Sequence, residues 1–277
     1  MTMTATSTRV PTRRERAATS SGSRLRRLAS QALFIVAVIA IWAAVRAADV
    51  MTPDALPAPR DVLHSLIDSL STAPYWNAIG NTLRSAAGGL LAAIVVGVPI
   101  GLLTGTYSFA EKSSRLLVEV GRSFPVIAIL PVMLLVMGSS LEMKGVVVFL
   151  ACVFPLIIQA QYGAQSVAES VRETVRSYRI GKQLRFRKVI LPCASPSIMT
   201  GVRLASTVAV LVSVGVEILT TVPGIGHEVV QNQLDGNSPN AFAYIFTAGA
   251  IGFAINKIAQ VAESRILAWR PPTETTD

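Results

Sequence analysis

The stretch SAAGGLLAAIVVGVPIGLLTGTYSFA, residues 85–110, carries no charged side chain in 26 consecutive positions. Three further stretches, residues 123–141, 145–168 and 236–256, are also free of charge. A helix needs about 20 predominantly apolar residues to cross a bilayer. The apolar runs do not alternate with polar residues, which argues against a transmembrane β-barrel. The sequence therefore predicts an all-α membrane protein that crosses the bilayer several times.

The composition supports this class and excludes several chemistries. Of the 277 residues, 51% are apolar and 15% are charged, whereas roughly a quarter of the residues in soluble domains are charged. The two cysteines and two histidines have no metal-ligand spacing, so no metal site is predicted. The sequence contains no GxxxxGK[ST] phosphate loop, so we do not expect this chain to bind ATP in that way or to carry a cofactor.

Six membrane-spanning helices are predicted from the apolar stretches. They lie near residues 28–46, 83–106, 118–138, 145–164, 197–220 and 241–266. Residues 1–27, rich in arginine, are predicted to be a disordered basic tail, and residues 271–277 a second tail, on either side of a membrane domain over 28–270. A secretory signal is the alternative for the first apolar stretch, but this stretch of 18 residues is longer than a typical signal core.

The distribution of basic residues predicts the orientation. With the N-terminus in the cytoplasm, 20 of the 25 lysines and arginines fall in cytoplasmic segments and four in external ones. Basic residues are enriched in the cytoplasmic loops of membrane proteins. We therefore expect both termini in the cytoplasm of a bacterial cell and the chain in its inner membrane. The same rule accounts for the basic tail, so no nucleic-acid partner is predicted.

The external connection over residues 49–80 combines prolines with an amphipathic pattern. Apolar residues recur at helical spacing at Val62, Leu63, Leu66, Ile67 and Leu70. We predict a short helix that lies on the outer membrane surface or on the spans.

Small residues recur every four positions along the second predicted span. They are Gly89, Ala93, Gly97, Gly101 and Gly105. Such a stripe lets another backbone approach closely. Tight packing within the subunit is the first interpretation, and a seam between two copies is the second.

Polar and helix-breaking residues inside the spans are candidates for the solute pathway. The third span contains Ser123, Phe124 and Pro125, followed by Pro131, and each proline disfavours a straight helix. A kinked helix that lines a path and a kink without a function both fit this pattern. Glu217 is the one clear carboxylate inside a predicted span, without an evident partner, and is expected to face water or a cavity or to reach the outer interface.

The loop over residues 165–196 carries seven basic residues and exposed apolar ones. Val167, Val171, Val175 and Tyr178 share one helical face. Gly181 is predicted to break the helix, and Pro192 to end the segment before the fifth span. We expect a helix, a turn and a second short helix. The basic side chains follow from the orientation rule, but Leu184 and Phe186 indicate a protein partner.

The sequence of this loop resembles the EAA motif of ABC importer permeases. That motif runs Glu-Ala-Ala, three residues, Gly, nine residues, an aliphatic residue, any residue and Leu-Pro. Glu173 falls on the motif glutamate, Val189 on the aliphatic position, and Leu191-Pro192 on Leu-Pro. Arg179 occupies the glycine position, and Gly181 is expected to supply the turn instead.

Further pieces of residues 50–270 resemble the nitrate/sulfonate/taurine/bicarbonate branch of these permeases. They include Leu56-Pro57-Ala58-Pro59, Gly97-Val-Pro-Ile-Gly101, Arg122-Ser-Phe-Pro125, Pro196-Ser-Ile-Met-Thr-Gly201 and Pro223-Gly224-Ile-Gly226. Each piece is short, and their order and spacing together make the resemblance specific.

The resemblance implies the type I importer permease fold and a division of labour. Separate ATPase subunits would bind ATP, and an extracytoplasmic solute-binding protein would deliver the solute. A second permease chain, identical or different, would complete the pathway. Glu173 and the turn at Arg179 to Gly181 would position a docking helix on the ATPase, with Leu184 and Phe186 as contacts. We call residues 165–196 the coupling loop from this point on.

Two other classes of protein fit the sequence less well than an ABC importer permease. A channel or secondary transporter would work without an ATPase, but such proteins often carry paired ionisable residues in the membrane. An intramembrane enzyme needs a base placed with a nucleophile or a metal, which the sequence does not show. The resemblance implies nitrate, sulfonates and taurine-like anions as solutes, beside pyrimidine and flavin precursors.

Overall fold

The computed structural model describes residues 13–48, 52 and 54–269, and no strand occurs among them. The helices are α1 (Arg13–Ala47), α2 (Pro59–Leu70), α3 (Ala73–Thr106), α4 (Ser108–Ser123), α5 (Leu130–Met137), α6 (Leu141–Gln165), α7 (Glu169–Ser177), α8 (Lys182–Arg185), α9 (Leu191–Leu219), α10 (Ile225–Leu234) and α11 (Ser238–Ile266). The predicted all-α class is confirmed.

The chain divides into two compact units, residues 1–62 and residues 63–277. In the first unit the apolar part of α1, Ala29–Ala47, matches the predicted first span. The tail predicted as disordered is helical from Arg13 onward, because the span continues backwards through alanine, arginine and leucine, which favour helix. Residues 1–12 and the tail at 271–277 lie outside the described residues.

The core of the second unit is the contact between α3, α6 and α9. Its centre consists of fully buried small and aliphatic side chains, including Ala93 of α3, Val148, Cys152 and Leu156 of α6, and Ala205 of α9. Small residues on α3 and α9 let both helices approach α6 closely. Helix α6 therefore lies between the other two and positions them.

The small-residue stripe of α3 packs against α6 of the same subunit, as the first interpretation held. A Cβ atom added to Gly89 would lie 2.6 Å from the carbonyl oxygen of Gly145, and one added to Gly97 would lie 3.0 Å from that of Val153. At Gly101 and Gly105 the added atom would also collide with the backbone of α6. The glycines set the distance between these two helices.

Helix α3 begins at Ala73, ten residues before its predicted start, so the last part of the predicted external connection is helical and continuous with the second span. The extra turns are anchored by Tyr75 and Ala78, which are buried in a cluster with Tyr244 of α11. The amphipathic helix before it is confirmed as α2. The hydroxyl of Ser69 donates to Oδ1 of Asn240, 2.9 Å away, so the end of α2 lies on the spans.

The third predicted span is not a single helix. Helix α4 ends at Ser123, the chain is extended at Phe124 and Pro125, and a 3₁₀ turn over Val126–Ile129 leads into α5. The two halves meet at 84°. Pro125 has no N–H and disfavours helical geometry at the residue before it, so the predicted kink is a complete break.

The broken pair α4–α5 contacts both ends of α6. Nε2 of Gln165, in the last turn of α6, donates to Oε1 of Glu111 in α4, 3.0 Å away. Leu130 of α5 packs against Met143 in the first turn of α6. Since α6 has 25 residues, or about 37 Å of helix, the pair extends along the depth of a membrane. Among the described residues, five other helical stretches are long and apolar enough to span, so these contacts favour six crossings.

Candidate functional site

The coupling loop forms the predicted helix, turn and second helix. Helix α7 covers Glu169–Ser177, the turn follows, and α8 covers Lys182–Arg185. Val175 of α7 is buried against the membrane helices, whereas Glu173 points outward and is exposed. The loop is therefore held by one face of α7 and displays the other.

The turn after α7 places Arg179 in the left-handed region, at φ 48°. The N–H of Ile180 donates to the carbonyl of Val175, and the N–H of Arg179 donates to that of Arg176. This pair of bonds is the Schellman motif, in which the left-handed residue is usually glycine. Gly181 has φ −59° and ψ 149°, so the expectation that it supplies the turn is wrong. Arg179, which occupies the glycine position of the EAA motif, is the one residue of the coupling loop in the left-handed region that glycine adopts without strain.

Arg179→Gly is expected to stabilise the protein by about 1 kcal/mol, because a left-handed non-glycine residue costs roughly that much. Gly181→Ala is the matched control and should be tolerated, since an added Cβ meets no atom within 4 Å. Thermal unfolding in detergent measures both. A lower melting temperature for Arg179→Gly would contradict the assignment of backbone strain to Arg179.

Pro192 does not end the loop, contrary to the prediction. Helical geometry runs from Lys182 to Leu219 without a break. A π turn over Phe186–Ile190, in which the N–H of Leu191 donates to the carbonyl of Phe186, precedes the proline. In a regular helix the Pro192 ring would collide with the carbonyl four residues earlier, and the wider π turn shifts that register.

The two apolar residues predicted to contact a partner are exposed. Leu184 is 55% exposed and Phe186 is 37% exposed, and Tyr178 in the turn is 78% exposed. The remaining motif positions, Val189 and Leu191, lie in the continuous helix on the way into the membrane. The structure thus brings these three exposed side chains to the tip of the loop.

Glu217, predicted to lack a partner, is bound to Lys144. Nζ of Lys144 lies 2.6 Å from Oε1 of Glu217, and neither side chain has any exposed surface. The hydroxyl of Thr82 lies 2.8 Å and 3.0 Å from the two carboxylate oxygens. Nζ also donates to the carbonyls of Asn81 and Pro223, each at 3.3 Å. Glu217 is enclosed by protein and does not face a cavity within the described structure.

The carboxylate of Glu217 lies against residues 223–226, which lead into the first turn of α10. The backbone N–H of Gly226 donates to Oε2 of Glu217 at 2.8 Å, and the N–H of Ile225 donates to Oγ1 of Thr82 at 3.0 Å. A Cβ atom at Gly224 would collide with the carboxylate group itself. The two glycines are needed because the backbone lies directly against Glu217. The ion pair therefore joins α3, α6, α9 and this loop.

A second ion pair joins α9 to α11 nearer the coupling loop. Nη1 of Arg203 lies 3.1 Å from Oε2 of Glu263, with Thr200 beside it. Arg203 and Glu217 are separated by 14 residues of α9, or about 21 Å. Helix α9 is thus fixed to its neighbours at two depths.

The remaining predicted pathway residues lie at the break between α4 and α5. Ser123, Phe124, Pro125 and Pro131 are all exposed. Next to them, a groove of about 400 Å³ between α4 and α6 has two acids and two bases in its lining, beside Gln161 and Tyr162. The charged residues are Glu111, Arg115, Glu119 and Arg122. Sequence reasoning missed this groove. The sequence signal for the groove was the glutamines of α6, which stand out in an otherwise apolar helix. They lie on the side of α6 that faces the charged residues of α4.

The chain is similar to known proteins in sequence and in fold. Residues 97–266 match the family described as binding-protein-dependent transport system inner membrane component. The nitrate import permease protein NrtB of Leptolyngbya laminosa is 28% identical over 193 residues, covering 70% of this chain and 69% of that protein. The putative aliphatic sulfonates transport permease protein SsuC of Bacillus subtilis is 25% identical over 233 residues, covering 84% of each.

The formylaminopyrimidine transport permease protein ThiX of Halalkalibacterium halodurans is 28% identical over 240 residues, covering 86% of this chain and 94% of that protein. Among solved structures, an inward-facing conformation of the MetNI methionine ABC transporter superposes with a TM-score of 0.60 at 18% identity. That superposition covers 70% of this chain and 95% of the other. It supports the type I importer permease fold.

Proposed function

Since this chain belongs to the family of binding-protein-dependent transport system inner membrane components, in the nitrate/sulfonate-type branch of ABC importer permeases, we propose that it forms half of a solute pathway and docks an ATPase through its coupling loop. The family is a transport component, and ATP hydrolysis belongs to a separate subunit. A second permease chain and an extracytoplasmic binding protein complete the assembly.

The exposed apolar tip of the coupling loop carries the docking proposal. Leu184, Phe186 and Tyr178 project from a loop that is otherwise strongly basic. An apolar group held out on a charged surface favours a protein partner. Glu173 lies exposed on α7 beside this tip and, among the described residues, forms no ion pair. It is therefore free to bind a donor on the partner.

The helix that follows the tip offers a route for coupling. From Lys182 the chain remains helical to Leu219, which precedes the connection over residues 220–224. A displacement of the tip therefore moves one continuous helix, and its two ion pairs carry the motion to α11 and α6. Closure of the ATPases on ATP would bias such an assembly between two arrangements.

Leu184→Asp should abolish docking, because it places a charge where an apolar contact is expected. We expect at least tenfold less ATPase subunit to co-purify with this variant from membranes. Leu234→Asp is the matched control: Leu234 is 76% exposed, on α10 beyond the other end of α9, and should retain the ATPase. Full retention by Leu184→Asp would contradict docking at the tip. Absence of any ATPase from the wild-type preparation would favour the channel or secondary transporter instead.

The break between α4 and α5 supports the placement of the pathway. Phe124 and Pro125 are extended and exposed, and of their backbone groups only the carbonyl of Pro125 is paired within the described backbone, with the N–H of Ala128 at 2.8 Å. Backbone of this kind is tolerated at membrane depth only where protein covers it or water reaches it. The break therefore faces the second permease chain or the path between the chains.

A small anion of the nitrate or sulfonate class is the proposed solute. The support is the likeness to NrtB and SsuC. A pyrimidine precursor is the second candidate, because ThiX is equally similar. The ligand that co-purifies with the binding protein encoded beside this chain distinguishes the two.

The chain is a multi-pass membrane protein, and we place both termini in the bacterial cytoplasm. Six crossings, favoured by the contacts of α4–α5 with both ends of α6, put the termini on one side. The basic coupling loop then lies on the same side as the basic N-terminus, as the distribution of lysine and arginine requires.

A further inference from the structure

A small cavity lies between the coupling loop and the ends of two membrane helices. Its volume is about 110 Å³, which leaves room for several water-sized groups. Gly105 and Thr106 at the end of α3 and Ala164 at the end of α6 form one wall, and α7, α8 and the π turn form the other. This is the junction between the loop and the membrane-embedded part.

Three arginines line the cavity, Arg172, Arg176 and Arg185, and no carboxylate does. In the part of the chain that the structure describes, Glu169 is the only acid paired with any of them. Its oxygens lie 3.9 Å from Nε of Arg172 and 3.8 Å from Nη1 of Arg176, which is beyond hydrogen-bonding distance. The cavity therefore holds an excess of positive charge.

Capping of the membrane helices explains only one of these arginines. The guanidinium of Arg172 donates to the carbonyls of Gln165 and Val167, at 3.1 Å and 3.2 Å. These bonds fix its position at the end of α6 and leave further N–H groups free. Arg176 and Arg185 make no such side-chain bond to a carbonyl among the described residues. Within the described residues, Arg176 has only the loose ion pair with Glu169, and Arg185 has neither an ion pair nor a side-chain hydrogen bond.

We propose that this cavity binds a phosphate group through Arg172, Arg176 and Arg185. Guanidinium groups form short, charge-assisted and often bidentate bonds to phosphate oxygens. Two sources supply such a group: the headgroup of an anionic lipid, attracted to a basic loop at the membrane surface, and a free phosphate. Once bound, it links α7 and α8 to the ends of α3 and α6. Given the proposed docking function, an occupied cavity restrains the coupling loop.

Thermal unfolding of the purified full-length chain in detergent tests this proposal without the ATPase. The probes are phosphatidylglycerol, with phosphatidylcholine as the uncharged reference, and inorganic phosphate, with chloride at equal ionic strength. We expect phosphatidylglycerol or phosphate to raise the melting temperature by about 3 °C. Arg185→Gln should remove that rise. Arg187→Gln, the same charge change at an exposed position outside the lining, should keep it.

A rise with the lipid alone identifies the headgroup as the source, and a rise with inorganic phosphate identifies a free anion. If Arg185→Gln does not fold, Arg176→Gln serves in its place, because that side chain is mostly exposed. No rise with either probe, or an equal rise in the Arg185→Gln and Arg187→Gln variants, would overturn the proposal. Because no ATPase is present, failure of the docking proposal would leave these outcomes unchanged.

Discussion

Lys144→Met is expected to lower the free energy of unfolding by about 3–5 kcal/mol, since removal of one partner leaves the other charge buried and unpaired. Glu217 would then remain in a site with no exposed surface. The loop Pro223–Gly226, which is bonded to that carboxylate, should loosen with it. Thermal unfolding in detergent and the yield of inserted protein measure the loss.

The double variant Lys144→Met with Glu217→Gln separates pairing from packing. It removes both charges and keeps an oxygen that accepts the N–H of Gly226, so it should recover more than half of the loss. Lys112→Met and Glu142→Gln, at exposed positions, are the matched controls and should be close to neutral. If the two single losses simply add in the double variant, the pair is not coupled and this account is wrong.

Gly89→Ala is expected to lower stability by about 2–3 kcal/mol, because overpacking forces backbones apart. The added methyl would lie 2.6 Å from the Gly145 carbonyl oxygen and 2.7 Å from Val148, and neither group is the end of a flexible side chain. Gly101→Ala should behave alike, since its added atom collides with the backbone of Ile157.

The neighbouring residue provides the control for this change. Gly88→Ala meets no atom within 4 Å and should stabilise the helix by up to about 1 kcal/mol, the difference in helix propensity. Two adjacent identical substitutions are thus expected to have opposite signs in the same unfolding measurement. Equal effects would mean that the stripe does not set the contact between α3 and α6.

Patterns local in sequence predicted most of the fold. The predicted span at 145–164 became α6, and the one at 241–266 became α11, within a few residues at each end. The stripe at Gly89 predicted a close contact because its spacing alone defines a smooth helix face. The exposed tip at Leu184 and Phe186 also followed from local composition.

Features that depend on distant residues were not predictable in this way. Lys144 is one of the four basic residues that the orientation rule assigns to external segments, and its pairing with Glu217 joins residues 73 positions apart. The break after α4 was underestimated because the uncharged stretch from 123 onward continues across Pro125 without any change in hydrophobicity. The turn was assigned to Gly181 because glycine is the usual residue for it, whereas the register of α7 forces Arg179 into that conformation.

The unbroken helix from Lys182 to Leu219 has one geometric consequence. Between Pro192 and Glu217 it acts as a lever of about 38 Å, so a tilt of roughly 5° with its fulcrum at the proline swings the far end by about 3 Å. Since Glu217 is bonded to Lys144, this displacement either moves α6 together with α9 or breaks the ion pair. A small rotation at the Lys182 end of this helix would thereby become a displacement of about 3 Å at Glu217, as long as a hydrogen bond.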